Sequence, residues 1–228
     1  MELFDPVLRS TALFCGIPDE ALPGLLDCFC ALRRRYGKGE TILQAGQPNT
    51  RIGILLEGNI RAMHTAPDGS LCEVTRMGPG GMFGDVLCGS GIPSPVTVQA
   101  AQDCTVLFLD YERILSVCSR CCAGHSRVLQ NLVRTVSGKY FALNRRVDLL
   151  TIKGLRARVC AWLLGERDRQ GSDTFADTRT RAELAAYLNC ERSALSRELG
   201  RLQAEGLIET YRGSFKLLNP AALAQLAI

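Results

Sequence analysis

The sequence predicts an α+β fold: an N-terminal β-roll of jelly-roll type, a long connecting helix, and a C-terminal helix-turn-helix with a two-stranded wing. Three observations carry this reading. Between Leu32 and Leu109, runs rich in Val, Ile, Thr and Leu are cut by glycine-bearing turns at the roughly 8–12-residue spacing of small antiparallel barrels and sandwiches. From Leu129 to Leu150 the apolar residues recur every three or four positions, which keeps one seam on a helix. From Arg181 to Leu217 the order is helix, tight turn, helix, hairpin. The expected division is residues 1–110 as a sensing roll with short N-terminal helices, 111–152 as connecting and dimerisation helix, and 153–228 as the winged unit.

The roll is marked by Gly37-Lys38-Gly39, Gly46-Gln47-Pro48, Glu57-Gly58-Asn59, Pro67-Asp68-Gly69 and Gly78-Pro79-Gly80-Gly81, each supplying turn conformations that side chains resist. Strands are expected at Ile52 to Leu56, Leu71 to Met77 and Val96 to Leu109. In the long helix, Leu129, Leu132, Val136, Tyr140, Leu143, Val147 and Leu150 form a narrow stripe among Arg134, Lys139, Asn144, Arg145, Arg146 and Asp148. A stripe that narrow suits a seam between two copies, so a homodimer is expected. After Lys153-Gly154, a second helix carrying Leu155, Val159, Trp162 and Leu163 ends near Gln170-Gly171-Ser172. A hydrophilic loop, Ser172 to Asp177, follows.

Within the terminal unit, Thr180 with Glu183 forms a capping box for the helix Arg181 to Leu188. Asn189-Cys190 make the turn, and Glu191 to Ala204 the second helix. Leu184, Leu188, Leu195, Leu199 and Leu202 fall inward, which leaves Arg192, Ser193, Ser196, Arg197 and Gly200 outward on one face. Small outward residues let a helix approach a major groove, and an arginine fork there bonds guanine O6 and N7 together. DNA reading is therefore expected of Arg192, Ser193, Ser196 and Arg197, with Thr180 and Arg181 at the start of the preceding helix counted beside them. Charge agrees: the 228 residues sum to +4, but residues 1–130 carry −2 and residues 131–228 carry +6, so a polyanion meets the C-terminal part.

Other chemistries find little support. No apolar run approaches the ~18 residues of a membrane span, and Met1 to Ser10 lacks a basic segment followed by an apolar stretch, so a cytoplasmic protein with no membrane partner is expected. Eleven cysteines are an odd number in a chain long enough to fold without disulfides, and reduced thiols are expected. Cys72, Cys104, Cys160 and Cys190 have apolar neighbours and read as buried thiols. His64 and His125 read as surface or capping residues. An enzyme of the jelly-roll type needs two or three histidines with a carboxylate on the strands, and only His64 lies there, so no catalysis is expected.

These residues resemble a known family. Thr180-Arg181-Ala182-Glu183-Leu184-Ala185, Arg192-Ser193-Ala194-Leu195-Ser196-Arg197 and Glu205-Gly206-Leu207-Ile208 are similar to the output domain of the Crp/Fnr superfamily of transcription regulators. Tyr36-Gly37-Lys38-Gly39-Glu40, Gln44-Ala45-Gly46 and Gly53-Ile54-Leu55-Leu56-Glu57-Gly58 are similar to the turns of its cyclic-nucleotide-binding-type β-roll. The resemblance covers nearly the whole length and implies a DNA-binding dimer, with RNA polymerase as a partner if the protein activates. By position, Arg192, Ser193 and Arg197 match the family's base-reading places, and Ser196 matches the serine of the Fnr-like branch. Many relatives carry glutamate where Ser193 stands; a carboxylate accepts from cytosine N4, whereas serine discriminates weakly.

The resemblance also frames what is sensed. Cyclic-nucleotide-binding members hold the phosphodiester with a Gly-Glu pair and an Arg-Ser pair about ten residues on. Here Gly84-Asp85 resembles the first, but Pro95 and Val96 stand where the second belongs, and no Lys or Arg lies between Arg76 and Arg113. A buried phosphate without a cation costs several kcal/mol, and Leu143-Asn144 replace the long helix's hydroxyl pair. Cyclic AMP is thus disfavoured, and no cofactor is expected. The candidate pocket, lined by Gly84, Asp85, Ser94, Thr97 and Asn144, suits a less anionic effector. Two alternatives remain open at this point: redox or metal sensing through Cys118, Cys121 and Cys122, with Cys28 and Cys30 nearer the roll, and a cyclic-nucleotide-type subunit acting on a protein partner.

Overall fold

The β-branched runs of the first half pair into two four-stranded antiparallel sheets in a computed structural model that describes residues 5–65, 71–116 and 124–227. In chain order the strands are β1 (Leu32–Tyr36), β2 (Thr41–Leu43), β3 (Arg51–Glu57), β4 (Ile60–Thr65), β5 (Leu71–Met77), β6 (Met82–Phe83), β7 (Thr97–Ala100) and β8 (Cys104–Asp110). One sheet has the order β1-β8-β3-β6, the other β2-β7-β4-β5. The run Val96 to Leu109, expected as a single strand, is two: the polar pair Gln102-Asp103 breaks it, and Asp103 accepts a bond from the Lys38 amide at 2.9 Å. The predicted Pro67-Asp68-Gly69 turn lies outside the described residues.

Alternation on β3 fixes two cores at once. Ile52, Ile54 and Leu56 join Leu8, Leu13, Leu22, Leu25 and Leu26 from the N-terminal helical segments, while Leu55 joins Ile60, Val98 and Val106 between the sheets. The glycine in that strand is set by a close approach, since a β-carbon at Gly53 would stand 2.2 Å from Phe83 Cζ. Gly53→Ala is therefore expected to destabilise the roll by about 1–3 kcal/mol through overpacking. Urea unfolding measures this, and an unchanged midpoint would contradict the packing.

Helices α1 (Leu22–Cys28), α2 (Asp85–Ser90) and α3 (Tyr111–Leu115) flank the roll, and α4 spans His125–Thr151. The seam on α4 is not uniform. Val128 and Leu132 are buried in the core below the roll, with Val136 partly buried against it, and buried Asn131 donates to the Leu13 and Cys15 carbonyls at 3.0 and 2.8 Å. The upper stripe therefore packs within its own chain, which corrects the expectation of one intermolecular seam. Further along, Tyr140, Leu143 and Val147 are at least half exposed.

Contacts divide the chain into Met1–Gly138 and Lys139–Ile228. The second unit holds α5 (Leu155–Gln170), β9 (Thr174–Ala176), α6 (Arg181–Tyr187), α7 (Arg192–Ala204), β10 (Ile208–Tyr211), β11 (Ser214–Leu217) and α8 (Pro220–Leu226). The five leucines read as inward, Leu184, Leu188, Leu195, Leu199 and Leu202, are all buried, around Trp162, Phe175 and Phe215. The Ser172 to Asp177 loop contributes a strand the sequence reading missed: β9 pairs with β11 and completes a three-stranded wing in the order β10-β11-β9. Phe175 stacks on Phe215 at 5.6 Å. Among the described residues no helix is long and apolar enough to cross a membrane.

Candidate nucleic-acid interface and sensor pocket

The helix-turn-helix is held from behind by arginines. Asn189 adopts a left-handed φ of 50°, which asparagine tolerates better than most residues. Arg158 of α5 donates to the Leu188 carbonyl at 2.9 Å and to the Ile152 carbonyl at 3.0 Å. Arg146 of α4 donates to the Tyr187 and Ala186 carbonyls, both at 3.3 Å. Cations at the C-terminus of α6 satisfy carbonyls that have no partner within the helix, so α4 and α5 both fix where the turn stands.

The inner face of α7 is anchored by more than leucines. Glu198 is buried and accepts from Arg156 at 3.1 Å and Arg201 at 3.3 Å, and Arg156 also grips Glu205. The Glu205 carboxylate keeps Arg156 charged above its ordinary range, and Arg156 in turn holds the Glu205 carboxyl below its own. Sequence patterning missed Glu198, because an acid among outward charges looks solvated; only its position between Leu195 and Leu202 on the inward arc betrays it.

With the helix seated this way, Arg192, Ser193, Ser196 and Arg197 are exposed together. Neither arginine has a hydrogen bond or ion pair among the described residues, so both forks are unspent. Thr180 is exposed but its hydroxyl caps α6, accepting from the Glu183 amide at 3.2 Å while the Glu183 carboxylate takes the Thr180 N–H at 2.7 Å. Arg181 is half-buried, 5.6 Å from the Phe215 ring centroid. It shares one cleft with Thr180 and the wing residues Arg212 and Gly213. The wing tip was not read from the sequence as part of the site: Arg212 has a φ of 44° and lies 5.3 Å from the Tyr211 ring. Its signal was a fourth arginine, in the turn between the two strands of the predicted hairpin.

The sensor candidates are placed differently. Gly84 has a φ of 80°, and a β-carbon there would stand 2.8 Å from the Arg51 carbonyl. Asp85 is buried at the start of α2, and Ser94 is buried. The Ser94 hydroxyl donates to the Val96 carbonyl at 2.7 Å, and the Thr97 hydroxyl accepts from the Ala45 amide at 3.1 Å. Both hydroxyls thus brace the loops around Gly46. Between the sheets, Phe83 and Tyr36 each meet Phe108 edge to face, at 6.2 and 6.4 Å. Asn144 is half-buried and belongs to the second unit.

Two readings of single residues need correction. Cys72 is exposed rather than buried, because β5 is an edge strand. His125 is buried rather than at the surface, with Nε2 2.8 Å from the Ile114 carbonyl and its ring edge-on to Phe29. Cys104 and Cys160 are buried and Cys190 half-buried. Burial pushes the Cys160 thiol up to about 11, and burial with the neighbouring Asp85 charge pushes Cys88 up to about 12, so both stay protonated and unreactive near neutrality. Cys118, Cys121 and Cys122 lie outside the described residues. Among those that are described, no group of three His, Cys, Asp or Glu side chains is arranged to hold a metal.

A β-roll followed by a winged helix-turn-helix with an open arginine face defines a sensor-linked regulator of the kind that binds DNA. Comparison with known proteins agrees. A cyclic nucleotide-binding domain matches residues 33–121 and a Crp-like helix-turn-helix domain matches residues 157–226. The transcriptional regulator LdrP of Thermus thermophilus is 31% identical over 205 residues, covering 85% of this chain and 96% of that one. A cyclic AMP receptor protein of the same organism is 28% identical over 221 residues, covering 96% and 98%. The crystal structure of the Thermus thermophilus catabolite activator protein matches with a TM-score of 0.55 and 26% identity, over 95% of this chain and 98% of that one. The chain belongs to the Crp/Fnr family of transcription regulators.

Proposed function

We propose that the protein is a non-catalytic homodimer that binds duplex DNA sequence-specifically, each α7 entering the major groove of one half of an inverted repeat whose half-sites lie about one helical turn apart. The observation that carries this reading is the face of α7: Arg192, Ser193, Ser196 and Arg197 exposed together, with Leu195, Glu198, Leu199 and Leu202 buried behind them. Arg197 reads a base edge, and Arg192, in the first turn, lies where phosphates approach. Thr180, Arg181 and Arg212 flank the same surface. Where the regulator activates, RNA polymerase is the further partner. Duplex affinity should fall steeply with salt, roughly one log-log unit per phosphate contact. Anisotropy titrations between low and physiological salt measure it, and a flat dependence would contradict the proposal.

The effector is a small molecule other than cyclic AMP. The segment that follows Gly84-Asp85 supplies no cation up to Arg113. Arg61 of β4 points away from the Ile60 and Ala62 side and donates to Gln99 at 3.3 Å. The Ser94 hydroxyl already donates to the Val96 carbonyl, and hydroxyls are neutral, so a phosphodiester finds no ready-made counter-charge in that segment. Addition of cyclic AMP is therefore expected to leave the melting temperature unchanged, since a ligand that does not bind the native state does not stabilise it. A clear upward shift at micromolar concentration would overturn this.

A further inference from the structure

We propose that Arg156 and Glu198 are positioning residues for base reading, an ion pair that sets the rotation of α7 about its own axis and so aims the Arg197 fork. The proposal rests on the DNA-binding reading above and adds to it the buried contact that makes the reading selective.

Glu198 is the odd member of the buried arc of α7. Around it, Leu195, Leu199 and Leu202 hold the helix down by apolar contact, which is non-directional, whereas Glu198 carries a carboxylate at 6% exposure. A buried ion pair is poor evidence of stability, because taking the charges out of water offsets much of their attraction. What it supplies and leucine does not is direction. Arg156 Nη1 donates to Glu198 at 3.1 Å and to Glu205 at 3.0 Å, and Nη2 donates to the other Glu205 oxygen. Glu205 caps the same helix seven residues further on, which places the two carboxylates on one side of α7 and about 10 Å apart along its axis at their backbones. One planar group therefore holds the helix along a line rather than at a point. Its base is firm, since Val159, Cys160, Trp162 and Leu163 seat α5 in the core. The Arg201 bond to Glu198 runs within α7 itself and cannot orient the helix against its surroundings.

Arg197 immediately precedes Glu198 and is exposed. A rotation of α7 by about 20° carries a group ~6 Å from the axis through roughly 2 Å, enough to open hydrogen bonds that hold only to about 3.2 Å. Attraction to phosphates is carried by charge and falls off gradually with distance, so the same rotation spares the affinity for unrelated duplex.

Two variants separate direction from charge. Glu198→Leu and Glu198→Gln both remove the negative charge, but only glutamine keeps an oxygen for Arg156. The full-length parent selects its preferred duplex from a random-sequence pool, and anisotropy then gives the ratio of Kd on scrambled duplex to Kd on the selected one. Glu198→Leu should lower that ratio by roughly tenfold or more, while binding scrambled duplex at least as tightly as the parent and unfolding at an unchanged or higher urea midpoint. Glu198→Gln should keep the ratio within about threefold. Arg156→Lys keeps the charge and loses the planar fork; it should lower the ratio as Glu198→Leu does, and it tests the pair even where leucine at 198 does not fold. A ratio that stays at the parent value in Glu198→Leu or Arg156→Lys overturns the positioning role. Equal losses in Glu198→Leu and Glu198→Gln also overturn it and make the charge alone responsible, and an equal loss on both duplexes in Arg156→Lys makes Arg156 a phosphate contact instead. A parent that selects no sequence at all rejects the DNA-binding reading itself, and this proposal with it.

Discussion

Replacing Leu143 and Val147 together by aspartate is expected to turn the dimer into monomers and to lower affinity for an inverted-repeat site by about 100-fold or more. Both side chains lie one turn apart on α4 and are 60% and 50% exposed in the single chain, so the fold of the protomer does not depend on them. In a dimer each side chain buried at the seam contributes about 1.5–3 kcal/mol, and two protomers supply four. Carboxylates at those places remove that contribution and force desolvated like charges toward one another across the two-fold axis. The loss at DNA follows from geometry: two heads on one body bind with the second at millimolar effective concentration, and avidity of about 10²–10⁴ disappears when they separate. Analytical ultracentrifugation gives the mass and anisotropy the affinity. A variant that stays dimeric and binds normally would move the interface away from this stripe.

That experiment addresses the point at which sequence patterning stopped. A 3-and-4 spacing says that a helix has an apolar stripe but not what covers it. Leu132 and Leu143 belong to one stripe on paper; in the fold the first is buried beneath its own roll and the second is open. The helix-turn-helix was legible because several local signals agreed: the Thr180 to Glu183 cap, the Asn189-Cys190 turn, and leucines and arginines on opposite arcs of α7. Strand β9 was illegible because Phe175 is its only large apolar residue, and its pairing comes from β11, some forty residues on. The sensor pocket was legible only as a set of residue types. Whether a serine or threonine hydroxyl is open to a ligand depends on backbone groups such as the Ala45 amide and the Val96 carbonyl, whose proximity is a product of the roll's closure. Cys72 and His125 failed for a related reason, since neighbours in sequence report poorly on edge strands and on inter-element contacts.

Truncating the fork on α7 isolates the reading step itself. Arg197→Ala is expected to cost about 1–3 kcal/mol at the specific site, roughly 5–150-fold in Kd, while affinity for unrelated duplex changes little. Arg197 is exposed, without an ion-pair partner among the described residues, so its removal leaves the packing of Leu195, Glu198 and Leu199 intact and any loss belongs to DNA. Arg192 provides the contrast. It occupies the first turn of α7, where a cation opposes the helix dipole by about 0.3–1 kcal/mol until an anion arrives. Arg192→Ala should therefore weaken specific and unrelated duplex alike and lower the salt slope by about one unit. Lysine at position 197 should not restore specificity, because a point charge cannot make the planar pair of bonds to O6 and N7. Parallel titrations on the two duplexes at fixed salt separate these outcomes, and equal losses on both for Arg197→Ala would make it a backbone contact instead.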